Sequence, residues 1–330
     1  MGELSLTFAA GRYDRVAPLA DGRVTVEGCD LRMIHLDPEE CFWRMLQGEE
    51  FDAAEMSLGS YCMLRARGDD RFVGLPAFLS RSFRHNAIYI RDDGSITEPA
   101  QLAGRAIGVP EYQMTAAVWI RGILQHELGV DLGAVRWRTG GLEEPGRIER
   151  QPLQLPAGFD VAPVPPDRTL VQELLDGAID AITAPRAPRA FRVAGGGVTR
   201  LLPDYAAREA ASFDRTRIFP IMHMVVVRRE LADAEPWLPT SLYKALRVAK
   251  AVALDGLADR PALAYSIPFL LAALEDAHAR FGDDPWPYGL EANRHVLEAF
   301  VELMREQGLL AGPLDIDDLF HPGTRRESRI

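Results

Sequence analysis

The chain reads as an α/β protein of two lobes, each a mixed sheet flanked by helices, with a cleft between them and a helical C-terminal region packed back on the first lobe. Three observations predict this. Short apolar strand patterns alternate with helical ones through the first third, which is the rhythm of βαβ units. The turn-rich Asp92-Asp93-Gly94-Ser95 interrupts that rhythm, and the alternation then starts afresh. Beyond Ala211 a long apolar strand is followed by mostly helical periodicity. A chain that leaves one lobe, builds another and returns makes two crossovers. Lobe 1 is therefore expected from 1–91 and 214–330, lobe 2 from 92–213, and hinge strands near 80–90 and 214–224.

The elements follow in order. Strands are expected at Leu4 to Ala9, Leu31 to Leu36, Asp52 to Met56 and Phe72 to Phe78, with helices at Glu39 to Gln47 and Leu58 to Ala66 between them. Asn86 to Arg91 is the first crossing strand. Ala106 to Val109 is a short buried strand ended by Pro110, and Ala117, Trp119, Ile120, Ile123 and Leu124 give the next helix one core-facing stripe. Backbone N–H groups at the start of such a helix lack internal partners and lie at the positive end of its dipole. This turn is therefore a candidate carboxylate or phosphate site, or a plain strand-to-helix turn. Ala134 to Trp137, a Gly/Pro-rich excursion from Thr139 to Pro166, a helix at Leu170 to Asp176 and the strand Ile179 to Thr183 complete lobe 2. Ile218 to Val227 returns the chain to helices at Leu242 to Leu254, Tyr265 to Arg280 and Glu291 to Gln307.

Composition narrows the function. A net charge of -11 over 330 residues argues against a nucleic-acid surface, which needs clustered Lys and Arg. Cys29, Cys41 and Cys62 have no metal-type spacing and read as reduced core thiols. No export signal and no membrane-spanning run is read, so a soluble, cytoplasmic protein is expected. Dinucleotide, P-loop, nucleophile-elbow and zincin motifs are all absent from the sequence.

Candidate chemistry gathers at the crossings. Ser80-Arg81-Ser82-Phe83-Arg84-His85 is either a carboxylate clamp with a proton-moving histidine or a solvated basic loop. His223, in an otherwise apolar strand, is either a hydrogen-bonded core residue or a second histidine facing the same cleft as His85. Ser57 is an N-cap at a second helix terminus. Arg147 closes the glycine-rich stretch 139–147, a lid or a solvent loop, and Arg186 and Arg189 follow a strand end. Tyr13, Asp14 and Arg15 follow the first strand, where ligands of open α/β sheets gather. A divalent ion on Glu55, His85 and His223 is left open.

Gly11-Arg12-Tyr13-Asp14-Arg15, Phe51 to Tyr61, Ser80 to Tyr89, Gly108 to Trp119, Thr139 to Arg147, Phe219 to His223 and the block Gly282-Asp283-Asp284-Pro285-Trp286-Pro287-Tyr288-Gly289 span nearly the whole chain. On these blocks it resembles the 4,5-dihydroxyphthalate decarboxylases, built on the type II periplasmic-binding-protein-like fold. Only Gly195-Gly196-Gly197 looks idiosyncratic, as a surface loop.

The resemblance implies loss of one carboxylate from a small aromatic dicarboxylate, giving protocatechuate and carbon dioxide. Each carboxylate of that diacid is para to a hydroxyl, so the ring itself acts as electron sink and no organic cofactor is expected. The expected assignment has His85 protonating the ring carbon and His223 polarising the phenol, or the reverse. Arg81, Arg84 and Arg186 would hold carboxylates, with Thr115, Tyr112, Arg147 and the amides after Val109 assisting, and Ser57 and Arg15 completing the pocket. Two alternatives remain: a non-catalytic solute-binding protein for an aromatic carboxylate, and a lyase acting on another cyclic acid, as in the similarly folded chorismate dehydratases. A homo-oligomer interface around Trp237, Leu242 and Tyr243, or a core face there, is left open.

Overall fold

The computed structural model describes residues 3–258, 263 and 265–326. The outer ends expected for lobe 1, residues 1–2 and 327–330, lie outside the described residues. Among the described residues eleven strands run in chain order as β1 (Leu4–Ala10), β2 (Cys29–His35), β3 (Ala53–Ser57), β4 (Phe72–Arg81), β5 (Ile88–Arg91), β6 (Ala106–Val109), β7 (Arg136–Thr139), β8 (Asp160–Pro163), β9 (Ala181–Thr183), β10 (Val198–Arg200) and β11 (Ile221–Arg228). The helices are α1 (Ala17–Ala20), α2 (Pro38–Gly48), α3 (Leu58–Ala66), α4 (Thr115–Gly122), α5 (Leu170–Leu175), α6 (Tyr205–Thr216), α7 (Arg229–Ala234), α8 (Leu238–Ala258), α9 (Leu270–Phe281) and α10 (Leu290–Glu306).

Two mixed sheets result. One has the order β2-β1-β3-β11-β4, the other β10-β5-β9-β6-β7-β8. In the first, β11 lies antiparallel between β3 and β4, and all three carry nearly continuous apolar runs because helices cover the sheet. The late strand thus sits at the centre of the early sheet. The two crossing segments lie side by side, with Ile221 in register with Arg81 and Ser82 N–H donating to Pro220 O at 3.1 Å. Phe83 and Phe219 stack across them at 4.8 Å.

Most expected elements form, and α3 and β6 keep their expected bounds. The sequence reading leaves out α1, β8, β10, α6 and α7. Strand β8 sits inside the Gly/Pro-rich excursion and pairs on one side only, with β7. Helix α6 buries only Ser212 and Phe213, too narrow a stripe to read as periodicity. Of the residues considered for a subunit interface, Leu242 and Tyr243 are core residues, whereas Trp237 stays 39% exposed. A cluster in sequence of exposed apolar side chains lies further on, at Leu263, Tyr265, Ile267, Phe269 and Leu271.

Candidate active site

The centre of the site comes from two neighbouring strands. Glu55 on β3 is fully buried in an apolar run, and an ionised carboxylate survives there only if both of its oxygens find donors. They do. Gly11 N–H donates to one oxygen at 2.9 Å, and the Tyr13 hydroxyl and His223 Nδ1 reach the other at 2.7 and 2.6 Å. Burial by itself raises the Glu55 carboxyl, but the His223 bond and charge, with the Gly11 and Tyr13 donors, outweigh it and hold Glu55 below the ordinary carboxylate range.

An ionised carboxylate can only accept, so His223 Nδ1 carries the proton and Nε2 is the nitrogen left to exchange one. His223 stands opposite Ser57 of β3 on one side and Ser80 of β4 on the other, with register shifts on both sides of it along β4. Such irregularities turn a strand side chain out of the regular pleat. Phe42 packs edge-on against the imidazole at 4.7 Å.

His223 opens on an inner cavity of about 140 Å³ together with Phe42, Ser57, Arg84, Met114, Thr115, Ala116, Arg150, Arg186 and Met222. That is close to the ~150 Å³ that admits a benzene ring. Ser57 Oγ and Thr115 Oγ1 lie 2.9 Å apart, joining the start of α3 to the start of α4 across the cavity floor. Gly59 permits this approach, since a Cβ there would lie 2.8 Å from Gln113 O. Arg84 donates from Nε to Met222 Sδ, and desolvation pulls its guanidinium down to about 10, so it stays charged at neutral pH. Arg150 is held through Nε and Nη2 by the buried Glu111, at 3.1 and 3.0 Å.

Ser57, Arg84, Thr115, Arg186 and His223, all candidates from the sequence, thus line one cavity. The other expected site residues are placed elsewhere. His85 does not share the cleft with His223: it is 3% exposed, pairs through Nε2 with Glu127 at 3.2 Å, and lines a separate cavity with Trp119 and Ser212. Arg81 is buried and spent on Phe219 O, Pro287 O and Asn293 Oδ1. Arg15 donates to Leu79 O, pairs with Asp14 and stacks between Tyr13 and Trp286. Tyr112 is buried under Arg121, with its hydroxyl on Gln307 O. Arg147 bonds Glu111 and Glu39 and lines an outer cavity.

The turn after Val109 is corrected too. Its Tyr112 and Gln113 N–H groups do take a carboxylate, but it is the protein's own Glu149. Sequence reasoning passed over Arg150 and Glu111, which lie in loops without periodicity, and gave Glu55 no part in proton transfer. A carboxylate inside Ala53-Ala54-Glu55-Met56 was the available signal. Among the described residues no three His, Cys, Asp or Glu side chains form a group that could hold a metal, and His85 does not join Glu55 and His223.

Comparison with known proteins gives this geometry its family. A 4,5-dihydroxyphthalate decarboxylase from Comamonas testosteroni is 41% identical over all 330 residues of both chains. The chain belongs to the 4,5-dihydroxyphthalate decarboxylase family. A second family member, from Pseudomonas putida, is 44% identical over 191 residues, 58% of this chain and 74% of that one. No family model matches. Among solved structures, the periplasmic aliphatic sulphonate binding protein SsuA from Escherichia coli superposes with a TM-score of 0.52 at 13% identity, covering 100% of this chain and 95% of that one. The zinc-bound ligand-binding component of an ABC-type import system from Staphylococcus aureus gives 0.52 at 12% identity, covering 99% of each chain. The desulfurization enzyme DSZB gives 0.50 at 16%, covering 97% of each. These likenesses establish the periplasmic-binding-protein-like fold. The family blocks then acquire physical roles: the Gly11 to Arg15 block supplies two donors to Glu55, and the Gly282 to Gly289 block supplies Pro287, whose carbonyl accepts from Arg81.

Proposed function

We propose that the protein decarboxylates 4,5-dihydroxyphthalate to protocatechuate and carbon dioxide, with His223 as the proton donor. The observation that carries the reading is the buried Glu55–His223 pair opening on a one-ring cavity that also holds Arg84 and Arg150. The diacid is symmetric, so loss of either carboxylate gives the same product. Arg84 and Arg150 hold the retained carboxylate, and the fully desolvated Glu55 stabilises the imidazolium before transfer. The phenolic oxygen para to the departing group pushes electron density into the ring, and His223 Nε2 delivers its proton to the carbon bearing that group. The carbon–carbon bond then breaks, its electron pair restores aromaticity, and carbon dioxide leaves. Solvent returns one proton to His223 per turnover.

This scheme asks for no organic cofactor. Three buried free cysteines support a cytoplasmic setting, and the exposed apolar side chains at Leu263, Tyr265, Ile267, Phe269 and Leu271 support a homo-oligomer. No helix among the described residues is long and apolar enough to cross a membrane. Incubation with 4,5-dihydroxyphthalate, with and without chelator, is expected to yield equimolar protocatechuate and carbon dioxide in both arms. Saturable binding without product would instead assign the cleft to capture alone.

A further inference from the structure

Outside the inner cavity lies a second one of about 550 Å³, which shares Glu39, Pro185 and Arg186 with it and so forms its mouth. Four arginines line this mouth, Arg147, Arg186, Arg189 and Arg192, against three glutamates, Glu39, Glu143 and Glu144; Glu143 accepts from the Arg189 backbone N–H at 2.7 Å. Arg147 is committed to Glu111 and Glu39, and Arg186 to Asp37 at 2.7 Å. Arg189 and Arg192 are exposed, and among the described residues neither has a carboxylate within ion-pair distance.

The whole chain carries a net charge of -11, so a dianion meets a repulsive average field. Four arginines against three glutamates in a concave, low-dielectric mouth, with the Arg189 and Arg192 guanidinium groups outside any ion pair among the described residues, reverse that sign locally and raise ligand concentration where it must enter. Resting on the substrate class proposed above, we infer that Arg189 and Arg192 form a capture site for one carboxylate of an incoming aromatic dianion. Arg186, the one arginine lining both cavities, is the relay. It exchanges Asp37 for the ligand carboxylate as the ring moves inward, and Asp37 reclaims it behind the ligand.

The test measures association rates by stopped-flow tryptophan fluorescence at 20 and 300 mM NaCl. Phthalate serves as a non-reacting dianion and 4,5-dihydroxyphthalate as the reacting one. The R189Q/R192Q protein is compared with wild type and with R105Q/R136Q, which removes the same two charges where β6 and β7 begin, at the opposite end of these strands from the mouth. Steering predicts that R189Q/R192Q associates roughly fivefold or more slowly at low salt and loses most of its salt dependence, while R105Q/R136Q stays within about twofold of wild type. Equal rates and equal salt slopes in the two double variants would overturn the capture site. Steered phthalate association in a protein that does not turn over 4,5-dihydroxyphthalate would uphold the capture site and reject the decarboxylase reading. Failure of wild type to associate with either dianion would overturn both.

Discussion

Glu149 offers a quantitative test of the loop that carries Arg147 and Arg150. Burial pushes its carboxyl up to about 7 from an ordinary 4.5, the charge of Glu111 adds to the rise, and the Tyr112 and Gln113 N–H groups with Arg121 hold it back. A carboxyl raised in the folded state keeps its proton there after the unfolded chain has released its own. Its stabilising contribution is therefore fully present below about 4.5 and is lost as pH rises through about 7. At 1.36 kcal/mol per pKa unit the full effect is about 3 kcal/mol, of which about 2.5 kcal/mol falls between pH 5 and pH 8. Glu149→Gln removes the titration while keeping a carbonyl to accept from the turn. Urea unfolding, followed through the buried Trp137 beside Tyr112, should show wild type losing about 2.5 kcal/mol more than the variant between those two pH values. Parallel stability profiles, within about 0.5 kcal/mol of each other across that range, would refute the reasoning.

Four further outcomes are expected. His223→Gln should lower kcat about 10²- to 10⁴-fold with substrate affinity nearly kept, and Glu55→Gln should fall in the same range because the imidazolium loses its counter-charge; steady-state kinetics with an equilibrium Kd checks both. Gly59→Ala places a Cβ 2.8 Å from Gln113 O and 3.3 Å from Thr115 Oγ1. It should cost about 1–3 kcal/mol by thermal melting and raise KM by spreading the Ser57–Thr115 contact. Arg81→Ala should destabilise by about 2–4 kcal/mol, since it strands buried carbonyls, yet leave KM of the folded fraction within a few-fold. Arg84→Ala and Arg150→Ala should each raise KM at least about tenfold; a large KM effect at Arg81 would restore it to the cleft.

Much of this molecule was legible in the chain, and each failure has a physical cause. The βαβ rhythm and the second crossing were visible because strand and helix periodicities are local properties of residue order. His223 stood out as one imidazole in an apolar strand. His85 and Arg81 were misassigned because sequence adjacency to Arg84 says nothing about direction. After β4 ends at Arg81, a short 3-10 turn from His85 to Ala87 sends neighbouring side chains to different cavities. The expected anion turn is a related case. Free amides at a strand-to-helix turn do attract a carboxylate, and only the folded loop could show that Glu149 had already taken the place.

By itself, then, the residue order determined the α/β architecture, the family and the presence of an imidazole on the returning strand, because these depend on local pattern and on blocks spread along the chain. Tertiary structure alone decided which groups share a cavity. Glu55 and His223 are 168 residues apart and meet at 2.6 Å only because β11 inserts between β3 and β4. Arg150 enters the site because a fully buried Glu111, on a loop from another strand, demands its charge. Burial and long-range pairing convert residue types into a proton donor and an anion clamp, and neither is encoded in spacing along the chain.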